Sequence, residues 1–72
     1  MAPLAALLAV EHAAVYAYGE AGGIVAAAGP AGTRAMPLVR DGFDAHRRGR
    51  DRLTEEILAR GGTPPAAQPA YR

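Results

Sequence analysis

"AVEHAAVYAYGEAGG", residues 9–23, sets Glu11 and His12 side by side in a run otherwise made almost wholly of small or apolar residues, and follows them with Tyr16 and Tyr18. With no proline inside and alanine dominating, the stretch reads as helix. A helix this apolar is built to be covered, and a carboxylate within it needs a partner. Where that partner comes from decides the fold.

Outward from this stretch, the helix begins near Pro3, suited to a first turn where its missing N–H has no partner to lose, and runs to Ala28 before Gly29-Pro30. A second helix is expected over residues 33–60, ended by Gly61-Gly62 and then Pro64-Pro65. Its start has two readings: Thr33 caps it, or Pro37 takes the first helical position. Gly42 and Gly49 weaken it by up to about 1 kcal/mol each relative to Ala, so it needs tertiary support. Residues 63–72 form a Pro-rich extended tail, and nothing reads as a strand.

The chain is all-α, with residues 1–62 forming an antiparallel helical hairpin. A hairpin alone cannot enclose a core. With 72 residues and no cysteine, disulfides and thiolate metal sites are excluded, and the remaining stabilisers are oligomerisation or a metal held by His and carboxylate. The simplest cover is a second copy or another helical hairpin, giving a four-helix bundle.

At about 100° per residue, Leu4, Leu7, Leu8, Val15, Tyr18, Gly22 and Val25 gather into one stripe of the first helix with Glu11 in its middle, while His12 and Tyr16 lie on a flank and Val10 and Glu20 well away. On the second helix Val39, Phe43, His46, Arg50, Leu53 and Ile57 alternate steps of four and three, the spacing of a bundle seam. Counting from the turn at about 1.5 Å per residue puts Glu11 within one helical turn of both His46 and Arg50, with Arg50 nearer in level. A buried polar layer of Glu11, His46 and Arg50 is therefore expected, held by a Glu11–Arg50 ion pair or a Glu11–His46 hydrogen bond. His12, Tyr16 and Tyr18 are interface candidates.

"EHAAVYAYG" (11–19), "DAHRRGRDRL" (44–53) and "ARGGTPPAAQPAYR" (59–72), in that order, resemble an actinobacterial ferritin-like family of unassigned function. The resemblance implies a four-helix bundle of which this chain matches the first two helices. Ferritin-like di-metal bundles use lone glutamates and Glu-x-x-His pairs. Glu11 matches a lone glutamate and His46 the histidine of a pair, but Phe43 stands where that pair's glutamate would be, so the resemblance supports the fold more than an oxidase or iron-storage activity.

Other chemistries find little support. The net charge of +1 offers no field for nucleic acid or an anionic membrane, and Arg47, Arg48 and Arg52 spread around the helix instead of sharing a face. No run reaches the roughly 18 apolar residues of a membrane span, so a cytoplasmic setting is the default. There is no serine, no phosphate loop and no nucleophile with a base beside it. The expected function is a structural or self-association module without catalysis and without cofactor. The competing reading is a metal-binding or redox bundle in which Glu11 and His46 from two chains hold Fe, Mn or Zn.

Overall fold

The computed structural model describes residues 2–71, and Met1 and Arg72, which the sequence assigns to the hairpin and the tail, lie outside them. Helix α1 spans Ala2–Ala27 and helix α2 spans Met36–Ala59, with a short 3₁₀ turn at Gly29–Gly32 between them and no strand among the described residues. The two helices pack antiparallel as a hairpin.

Each break has a local cause. Gly29, with φ of 60°, takes the left-handed conformation that ends α1. Of the two starts the sequence allowed for α2, the structure takes the later: Thr33 follows the 3₁₀ turn, its N–H donating to the Pro30 carbonyl at 3.3 Å, and the helix begins at Met36 with Pro37 in its first turn. Proline is accommodated there because the first turn has no carbonyl behind it to bond. At the other end Gly61, with φ of 78°, and Gly62 donate to the carbonyls of Leu58 and Ile57 at 3.0 and 2.9 Å, the paired bonds of a Schellman motif.

The hairpin is one layer thick. Its Cα atoms extend 47 × 21 × 13 Å, and its radius of gyration is 14.2 Å, against about 11 Å for a compact chain of this length. Leu8 and Ile57, at 0% and 2% exposure, are the only fully buried large side chains among the described residues. After Gly62 the chain turns back, and the tail runs along the flank of α1, where the Pro65 carbonyl accepts from His12 Nε2 at 3.0 Å and the Tyr71 ring lies 5.7 Å from that of Tyr16.

The outer surface of α2 is charged and carries exposed ion pairs. Asp44 reaches Arg47 at 3.9 Å, and Glu56 reaches Arg60 at 2.7 Å. These exposed contacts contribute little to stability.

The glycines give a direct check on this geometry. Replacing Gly61 by Ala forces a side chain into the left-handed region and should destabilise the fold by roughly 1–2 kcal/mol. Gly23→Ala, mid-helix with open space where its Cβ would lie, should stabilise it by about 0.5–1 kcal/mol. Thermal melts followed by circular dichroism should shift in opposite directions for the two variants.

Candidate functional site

Glu11 projects from the middle of α1 toward α2, where its Oε1 accepts a hydrogen bond from His46 Nδ1 at 2.7 Å. A carboxylate only accepts, so this contact puts the proton of a neutral His46 on Nδ1 and leaves Nε2 as the ring's acceptor. The pair is partly shielded: 18% of the Glu11 side chain and 36% of the His46 side chain remain exposed. Tyr18, two turns along α1, lies over the imidazole with ring centroids 5.4 Å apart and planes 30° from parallel.

Two glycines of α2 make this cluster possible. A Cβ on Gly49 would collide with Oε2 of Glu11, and a Cβ on Gly42 would collide with the ring of Tyr18. Both helix-weakening residues are therefore sockets, one for a carboxylate and one for a phenol. They stand seven residues apart on the same line of α2, beside the seam. That spacing was the available signal for them, and reading each glycine only for its helix propensity missed it.

Arg50 takes no part in the cluster. Its Nε and Nη2 both donate to Oδ1 of the adjacent Asp51, at 2.9 and 2.8 Å. Level along the helix favoured Arg50 as the partner of Glu11, but its guanidinium, on a side chain 29% exposed, turns to the more exposed carboxylate of Asp51 instead. The expected layer of three is thus a pair, and it is partly exposed where burial was expected. Thr54 is half-buried and donates to the Arg50 carbonyl at 2.9 Å.

The three interface candidates are engaged within the chain itself. His12 donates to Pro65, Tyr16 packs on Tyr71, and Tyr18 covers His46. The first two meet the tail because Gly61-Gly62 reverses the chain onto their flank of α1; an extended tail gave no reason to expect this.

For a metal, one chain offers one imidazole nitrogen at His46. No group of three or more His, Cys, Asp or Glu side chains suited to a metal occurs among the described residues, and no described helix is long and apolar enough to cross a membrane.

A family described as a domain of unknown function, DUF4439, is matched by residues 3–72. The chain belongs to that family. No curated protein and no solved structure matches it.

The sockets predict a reversal. Gly49→Ala should gain up to about 1 kcal/mol of helix propensity but lose roughly 1–3 kcal/mol by forcing the Glu11 carboxylate aside. The single variant should melt below the parent, whereas Gly49→Ala added to a Glu11→Ala background should melt above Glu11→Ala alone. The four melting curves of this cycle measure the coupling directly.

Proposed function

We propose that this chain is a structural self-association module: a helical hairpin that pairs with a second hairpin, its own copy, in a ferritin-like four-helix bundle, with no catalytic role. One observation carries the reading. Two large side chains are fully buried while Leu7, Val10, Ile24, Leu38 and Leu58 stand more than half exposed.

A second helical layer would bury the remaining apolar faces, as stable domains require. In this reading the Glu11–His46 pair sets the register of α1 against α2, a role that single polar pairs in apolar seams are known to serve.

A metal-binding role is the second reading, and the Glu11–His46 contact favours one version of it. Glu11 would orient the imidazole through Nδ1 while His46 bound Fe, Mn or Zn through Nε2, with further ligands from another chain.

Two measurements separate these outcomes. Light scattering across a concentration series should give a mass of at least twice 7.4 kDa, with a melting temperature that rises with concentration. A folded monomer with a concentration-independent melt overturns the self-association reading. Metal analysis of protein purified without chelator, with melts before and after EDTA, tests the second. No bound metal and an unchanged melt remove it.

A further inference from the structure

Helix α1 has three sides, and the structure covers two of them. One, carrying Glu11, Tyr18, Gly19 and Gly22, lies against α2, and the flank with His12 and Tyr16 lies under the tail. The third carries Leu7, Val10, Ala14, Ala17, Ala21 and Ile24, in steps of three and four, which is the heptad spacing of a helix–helix seam. Leu7, Val10 and Ile24 on this line are 53%, 62% and 72% exposed. No charged residue interrupts it. The outer surface of α2, by contrast, is mostly charged, and its exposed Leu38 and Leu58 stand singly, twenty residues apart, without forming a continuous line.

We infer that this third side of α1 is the contact through which two copies pair, α1 packing antiparallel on α1 about a two-fold axis level with residues 15 and 16. The inference rests on the self-association reading and assigns its interface. The first reason is self-complementarity. Laid antiparallel on itself, the line sets Leu7 against the partner copy's position 24, Val10 against position 21 and Ala14 against position 17, so each contact recurs in reverse, as a two-fold interface demands. Alanines fall at the centre and the bulkier Leu7 and Ile24 at the ends. Helices crossing at about 20° are closest at the crossing point and diverge away from it, so small residues at the centre and large ones at the ends match the gap.

The second reason is area. The chain exposes 5000 Å², whereas a compact monomer of 7.4 kDa exposes about 4,200 Å². The surplus of about 800 Å² reflects the flat, one-layer shape that leaves this side open, and it is of the order of the roughly 800 Å² that each partner contributes to a standard stable interface.

Cysteine cross-linking tests the geometry, since the chain has no cysteine of its own. In the antiparallel pair, position 10 faces position 21 of the partner copy, while the two copies of position 10 stand roughly 16 Å apart along the axis, beyond the roughly 7 Å that a disulfide tolerates between Cα atoms. Mild oxidation of a mixture of Val10→Cys and Ala21→Cys proteins should therefore give a cross-linked product several-fold in excess of that from either protein alone. As an independent measure, Ala17→Glu, a good helix former at an exposed position, should reduce the light-scattering mass to that of one chain.

Efficient cross-linking of Val10→Cys with itself would overturn the antiparallel arrangement. A parent protein that self-associates, but gives no excess cross-link in the mixture or keeps its mass with Ala17→Glu, overturns this interface and leaves the self-association reading standing. A monomeric parent removes both.

Discussion

The hairpin depends on the close approach of α1 to α2 at two points where α2 has no side chain. At Gly49 the carboxylate of Glu11 fits against the opposing backbone, and at Gly42 the ring of Tyr18 does the same. Between these sockets His46 donates a hydrogen bond from Nδ1 to Glu11 and takes the Tyr18 ring on its face. The two helices are thereby held at one register by polar and aromatic contacts, with an apolar core of two fully buried large side chains among the described residues. Backbone flexibility in α2 is the cost of that arrangement, since each glycine lowers helix propensity.

The contrast between the helices follows from composition. Helix α1 is apolar on every side and carries few charges, while α2 is amphipathic, with an apolar seam and a charged outer face. An amphipathic helix can rest on one neighbour and face water; a uniformly apolar one cannot. The pairing proposed above therefore runs through α1, with the charged face of α2 left toward water.

Much of the fold could be read from residues. Gly61-Gly62 ended α2 through a capping geometry that glycine alone favours, and the seam spacing brought Glu11 to the level of His46. What escaped was anything decided by side-chain reach instead of position along the chain. Arg50 stood at the right level for Glu11, yet its flexible stem let it turn to Asp51. Leu7 fell within the expected stripe on helical angles but lies at its edge, more than half exposed, because the contact with α2 is narrower than a 100° wheel implies. Helix α2 started at the later of its two expected places, near Pro37, because residues 33–35 form a turn after the 3₁₀ segment. The fold of the tail onto His12 and Tyr16 was the least legible feature, since it depends on a chain reversal after Gly61 and not on any periodicity.

That returning tail also changes how the hairpin comes apart. The contact from His12 to Pro65 joins residues 53 positions apart, so the tail ties the middle of α1 to the end of α2 through the reversal at Gly61-Gly62. Loss of the last turn of α2 would undo that reversal and loosen the tail from His12. Fraying at one end is thereby coupled to the centre of α1, where a simple hairpin would keep it local.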